Sequence, residues 1–410
     1  MISTRIPALF LAAIGVCCYA AQGAEGLSCP VIGTGERPAL VFVGGGITDN
    51  TLQVARFGKE GEELETTDVL SGRNLEVAQL GNAVFLITAF EASGRGRVYA
   101  VNFDNGRMRC LAESTAVRCL RSLPSRNVSM LMEVQSRQSR IVLYELALDT
   151  LDLVPRHRLS RLEYQDEYVG FGTRMRMSPD LKHIAYVVPH SAGGISRWTT
   201  YTLKIVELST KSVREFVPSV GVQIGSFSSF GRGVPPLVWL DNSRVLYQDM
   251  DTPEDAEVFD HDFKMLHRFK CVDIKTEETS ECMAADIPLS LDGGSLNVDP
   301  LTGNIRFRDD WVLDLNAGSL RSAIRPFTIE SFPASRRTEI RAGSAVIYDG
   351  PSRCVSKVVA PSGEHIAYSL RPWASHSLFV ELYAKTKAMA QPVKVTEGCY
   401  LPVRPIGWIE

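Results

Sequence analysis

A short apolar run, a tight turn and a second apolar run recur along nearly the whole chain. The second run appears as Leu40-Val41-Phe42-Val43, Ala83-Val84-Phe85-Leu86, Val128-Ser129-Met130-Leu131, His183-Ile184-Ala185-Tyr186, Arg244-Val245-Leu246-Tyr247, Asn304-Ile305-Arg306-Phe307 and His365-Ile366-Ala367-Tyr368. Turn residues precede most of them: Gly81-Asn82, Pro124-Ser125, Pro179-Asp180, Asp241-Asn242, Thr302-Gly303 and Pro361-Ser362-Gly363. The run before the turn recurs near residues 78, 120, 177, 238, 298 and 359, and again as Ile406-Gly407-Trp408-Ile409. A third strand signal, as in 98–103 and 269–274, ends at Asp104-Asn105-Gly106 or Lys275-Thr276-Glu277, and a fourth strand follows. Such turn residues supply the positive φ angles and side-chain caps that tight hairpins need.

Four antiparallel strands per unit, repeated at roughly 45–60 residues, predict an all-β chain folded as a β-propeller. Residues 40–70 offer three strands but no convincing first one. The simplest closure therefore pairs the C-terminal run with the N-terminal strands, which leaves no open seam. That count gives seven blades, with six as the alternative, because 290–357 holds one thin repeat and a long connection. Residues 24–410 then form a single domain.

The unit Met177-Ser178-Pro179-Asp180-Leu181-Lys182-His183-Ile184-Ala185-Tyr186 resembles the TolB-like branch of WD-repeat-like propellers, as does Ala360-Pro361-Ser362-Gly363-Glu364-His365-Ile366-Ala367-Tyr368. The resemblance implies the fold first. Beyond it, the family includes periplasmic binding in TolB itself and accessory propellers of serine peptidases and lyases. No Gly-x-Ser-x-Gly, His-Glu-x-x-His, Walker loop or Gly-x-Gly-x-x-Gly occurs, so no attached catalytic domain is expected.

Residues 1–23 read as a secretory signal: Arg5, a short apolar stretch from Ile6 to Tyr19, then small residues. A periplasmic or secreted protein is expected, with no transmembrane segment in the mature chain. The 410 residues are 45% hydrophobic and 22% charged, with formal net charge −3, which excludes a polybasic nucleic-acid binder and an acidic disordered tail.

The turns within strand pairs are tight, whereas the connections 157–174, 188–201, 217–235, 248–267, 322–355 and 370–377 are long. Long loops on a rigid scaffold are where function concentrates. The leading reading is a non-catalytic module whose long-loop face recognises an envelope or extracellular protein or a small ligand. His190, Arg197, Trp198, Tyr201, Arg371, Trp373 and His376 are its candidate binding residues, since Trp and Arg in exposed loops make interface anchors; Trp198 and Trp373 equally fit packing onto the blade tops. Asp249, Asp251, Asp260, His261 and Asp262 could hold a divalent cation, although the segment fails the EF-hand pattern and also reads as a solvated acidic loop. No other cofactor is expected. The alternative function is a metal-dependent enzyme resembling polysaccharide-lyase propellers, with His and carboxylates over the central channel. Cys271 and Cys282 flank the turn at Thr276-Glu277 symmetrically, which predicts a disulfide across a hairpin. Cys354 and Cys399 flank the last repeat as a second candidate pair.

Overall fold

Apolar residues alternate with polar ones along strands that have one solvated face, and run unbroken where a strand is covered on both. In 379–385, Phe-Val-Glu-Leu-Tyr-Ala-Lys, every second residue is buried, whereas Ile366 to Leu370 are buried throughout. The computed structural model describes residues 27–32, 37–45, 50–58, 64–90, 96–113, 117–135, 140–160, 175–189, 198–223, 237–251, 264–288, 296–298, 305–307, 311–314, 319–322, 326–373, 379–399 and 403–410. The predicted signal segment 1–23 lies outside them. The described residues are nearly all β, with a single 3-10 turn at Pro124–Arg126.

All strand pairs are antiparallel. The first sheet contains β1 (Ala39–Gly45), β2 (Asn50–Phe57), β3 (Leu64–Gln79), β4 (Val84–Phe90), β5 (Gly96–Asn102), β6 (Arg107–Ala112) and the C-terminal β30 (Arg404–Ile409), in the order β30-β1-β2-β3-β4-β5-β6. The next holds β7 (Val117–Leu123), β8 (Val128–Gln135), β9 (Arg140–Ala147) and β10 (Leu153–Ser160). A third is β11 (Arg176–Met177), β12 (His183–Pro189), β13 (Trp198–Glu207) and β14 (Val213–Gln223). The fourth has β15 (Leu237–Trp239), β16 (Arg244–Asp251), β17 (Lys264–Asp273) and β18 (Thr279–Pro288). Short strands make the fifth: β19 (Leu296–Val298), β20 (Ile305–Phe307), β21 (Trp311–Asp314) and β22 (Ser319–Ser322). Three strands form the sixth, β23 (Phe327–Phe332), β24 (Arg337–Ala342) and β25 (Ala345–Gly350). The last is β26 (Ser352–Val359), β27 (Ile366–Pro372), β28 (Phe379–Lys385) and β29 (Val393–Cys399).

The C-terminal run pairs with the N-terminal strand as expected, Ala39 opposite Ile409 and Val43 opposite Arg404. Two features depart from the expected units. β3 serves two neighbours: residues 64–72 pair with β2 and 73–79 with β4. Asn74, at φ 47°, lets the chain pass between them without a turn. The segment 322–355, expected as a connection, contains β23–β25. The long connections are also shorter than expected, because Pro189, Trp198, Tyr201, Asp249, Asp251 and Pro372 all lie within strands.

The first strands of neighbouring units are tied by side chains that donate to backbone carbonyls. Gln79 donates to Trp408 O at 2.9 Å, Ser122 to Leu80 O, Arg121 to Met177 O at 3.0 Å and Trp239 Nε1 to Arg176 O at 2.8 Å. Trp408 Nε1 completes the series with Val358 O at 3.5 Å. His183 and His365 have a packing role in it: His183 lies against Trp239 with centroids 6.0 Å apart, and His365 against Trp408 at 5.3 Å.

Candidate functional site

Consecutive antiparallel strands send alternate connections to opposite edges of the sheets. At the edge with tight turns, the turn carboxylates are absorbed by the chain itself. The Asp180 carboxylate accepts from Ser178 Oγ at 2.6 Å and from the Lys182 N–H at 3.1 Å. Asp241 accepts from the Ser243 and Arg244 N–H groups, each at 2.8 Å, and from the Arg244 guanidinium at 2.7 Å. Burial opposes ionisation of Asp241, but these donors outweigh it and hold the carboxyl at about 2. The Glu410 carboxylate takes both the N–H and the hydroxyl of Ser362, and the Asn82 amide bonds the Glu410 backbone in both directions.

The opposite edge carries a different population around β23–β28. Phe332 ends β23 and is 37% exposed, with the Arg337 guanidinium 5.7 Å above its ring. Arg337 bonds Asp349 at 2.6 Å and the nearly buried Glu339 at 2.9 Å. Two residues past Asp349, the Pro351 carbonyl accepts the backbone N–H of Trp373 at 3.1 Å. Trp373 is half-buried, so it packs down onto the sheet edge. Its indole N–H is nevertheless buried with no acceptor among the described residues, an expense that an amphipathic ring normally avoids. Arg371, two residues earlier, faces Arg353 across the ladder. Phe379 opens β28 and is 56% exposed, the most open of the large aromatics described. Hydrogen bonds and register thus link Phe332, Arg337 and Asp349 to Arg371 and Trp373 in one rim, and Phe379 opens the following strand.

Of the expected binding residues, Arg371 and Trp373 belong to this rim. Trp198 and Tyr201 lie on β13, Tyr201 opposite Pro189 at the end of the β12–β13 pair. His190, Arg197 and His376 lie outside the described residues, as do Asp260, His261 and Asp262 of the cation reading. Asp249 and Asp251 sit on one face at the end of β16, Asp249 opposite Arg268. Phe332, Arg337 and Phe379 were not anticipated. Their signal was local: an aromatic at the last or first position of a strand, where its ring meets solvent.

One thiol expectation needs correction. Cys354 lies on β26 and Cys399 on β29, the two outer strands of one four-stranded sheet. Three strand spacings of about 4.8 Å separate them, roughly 14 Å, well beyond the reach of a disulfide. Cys271 faces Ser280 rather than Cys282, because the β17–β18 register shifts between Phe269 and Lys270. The two thiols are nonetheless close neighbours, as the pairing expected, and no disulfide joins them in this structure.

No family model and no curated protein matches this chain. Solved structures do. The chain is similar to the β-propeller domain of the Trilobed protease from Pyrococcus furiosus, with 11% identity and TM-score 0.43, covering 90% of this chain and 98% of that one. It is similar to TolB from Acinetobacter baumannii, with 13% identity and TM-score 0.32, over 91% of this chain and 66% of that one. An oligogalacturonate lyase in complex with manganese aligns with 10% identity and TM-score 0.32, over 89% of this chain and 75% of that one. The solved structures it resembles are TolB-like and other β-propellers.

Proposed function

We propose that this chain is an exported, non-catalytic binding module whose rim from Phe332 to Phe379 recognises a protein partner. The sheets would follow one another round a ring closed by the β30–β1 pair. Counting the two halves of β3 separately makes eight units, one of three described strands, in place of the seven expected. The contrast between the two sheet edges supports the binding reading. Tight-turn carboxylates are held by neighbouring donors, while the opposite edge keeps a solvent-exposed phenyl ring, an arginine stacked on another and a buried indole N–H without an acceptor among the described residues. Interfaces draw their anchors from these residue types.

The test is crosslinking in the living cell, with wild type beside Trp373→Ala and Phe379→Ala. The expected outcome is one protein recovered by wild type and reduced about tenfold in either variant, the loss of one anchor. Equal recovery from all three would overturn the rim. The metal-dependent alternative expects a stoichiometric divalent cation in the purified protein and its loss on replacing Asp249 and Asp251, read by elemental analysis.

A further inference from the structure

The β17–β18 hairpin carries one extra residue on β18. Phe269 faces Met283 and Lys270 faces Glu281, which leaves Cys282 without a ladder partner. A bulge re-aims the side chain it carries. Here it brings the Cys282 thiol close to that of Cys271. Cys271 is buried on the third strand, whereas Cys282 is only half-buried on β18, the edge strand of its sheet. Arg244, on the adjacent β16, places positive charge near both sulfurs and is itself anchored by Asp241 at 2.7 Å. The other charged groups around the pair are Lys270 and Glu281, which face each other across the hairpin, and Asp273, which caps the Lys275 N–H at 2.8 Å.

We propose that Cys282 and Cys271 form a reactive dithiol that exchanges with external disulfides, Cys282 attacking and Cys271 resolving. This goes beyond a static bridge, because it gives each sulfur a separate role. The Cys282 thiolate attacks one sulfur of a disulfide R–S–S–R, forming Cys282–S–S–R and releasing R–S⁻. Cys271 then loses its proton to solvent and attacks Cys282 Sγ. A second R–S⁻ leaves and the Cys271–Cys282 disulfide remains; the external disulfide takes up the two electrons.

The local charges favour this division. Cys282 is the more exposed sulfur and Arg244 lies near it, whereas the neighbouring Cys282 and burial push the Cys271 thiol up. Burial raises Cys29 and Cys354 to about 11. Of these sulfurs Cys282 is therefore the one placed to act as nucleophile.

Reduced full-length protein is treated with limiting iodoacetamide between pH 6 and 9, and the modified peptides are quantified by mass spectrometry. Cys282 should react ~10-fold or more faster at pH 7 than Cys271, Cys29 or Cys354, and its rate should level off at a lower pH than theirs. Equal rates at Cys271 and Cys282 would overturn the proposal. A second arm uses oxidised glutathione. Wild type should end with the internal disulfide and no adduct, Cys271→Ser should keep one glutathione on Cys282, and Cys282→Ser should take up none. Glutathione retained on wild-type Cys282, or uptake by Cys282→Ser as fast as wild type, would refute it. The wild-type arms do not depend on how either variant folds.

Discussion

Trp239 and Trp408 solve the same problem at two places in the chain. Each indole donates to a carbonyl of the preceding first strand and lies against a histidine of that unit. The histidines are therefore held in surroundings that favour the neutral ring. Burial lowers His183 and His365 despite the carboxylates near them, and burial with Lys211 and Arg156 lowers His157. The unfolded chain titrates near 6.5, so below that pH it takes up protons that the folded chain refuses. Stability is then full above 6.5 and declines as pH falls through the lowered folded values. A second loss follows below 3.8, as Asp241 is protonated on the way to about 2. Melting temperature measured from pH 8 to pH 3 should fall in these two windows. His183→Gln combined with His365→Gln should flatten the first, and an unchanged wild-type melting temperature between pH 7 and 5 would contradict the account.

Among the elements, those announced by turn chemistry were the ones readable in advance. Ser178-Pro179-Asp180 and Pro361-Ser362-Gly363 encode their hairpins locally, because the side chains that cap each turn lie within it. β23–β25 was missed for the converse reason. Its hairpin at Pro333-Ala334-Ser335-Arg336 closes through a backbone bond from Arg336 N–H to Pro333 O and a positive φ at Arg336, with no Asx cap. The division of β3 was equally silent, since Asn74 changes the strand's partner without interrupting its extended pattern. Most of the candidate rim was hidden as well: only Arg371 and Trp373 could be picked out, because the exposure of Phe332 and Phe379 depends on which strand ends meet solvent. Turn geometry also separates two glycines that look alike in sequence. Gly106, at φ +70°, has Val31 Cγ2 only 2.8 Å and the Cys29 carbonyl 3.1 Å from where a Cβ would stand. Gly343, at φ +57°, has open space there. Chemical denaturation should find Gly343→Ala costing about 1 kcal/mol from the left-handed backbone alone, and Gly106→Ala about 2 kcal/mol or more. Equal costs would mean that segment 27–32 is not packed on that turn.

At the scale of the whole molecule, stability depends on joining the two ends. β30 fills one side of β1 and buries Trp408 completely against Phe57 and the last sheet. Removing residues 404–410 should abolish cooperative melting, because it exposes the β1 edge and empties the site of an indole whose truncation alone costs about 3–5 kcal/mol. Circular dichroism melts of the shortened chain read this directly, and an unchanged transition would show that the β30–β1 pairing is dispensable. The same join imposes a delay during synthesis. The strand Ala39–Gly45 leaves the ribosome long before Arg404–Ile409 exists to cover it. At usual rates of translation that run of Leu, Val and Phe waits roughly 20–70 s for its partner, open to any other strand in the meantime. A strand made late decides whether one made early stays soluble.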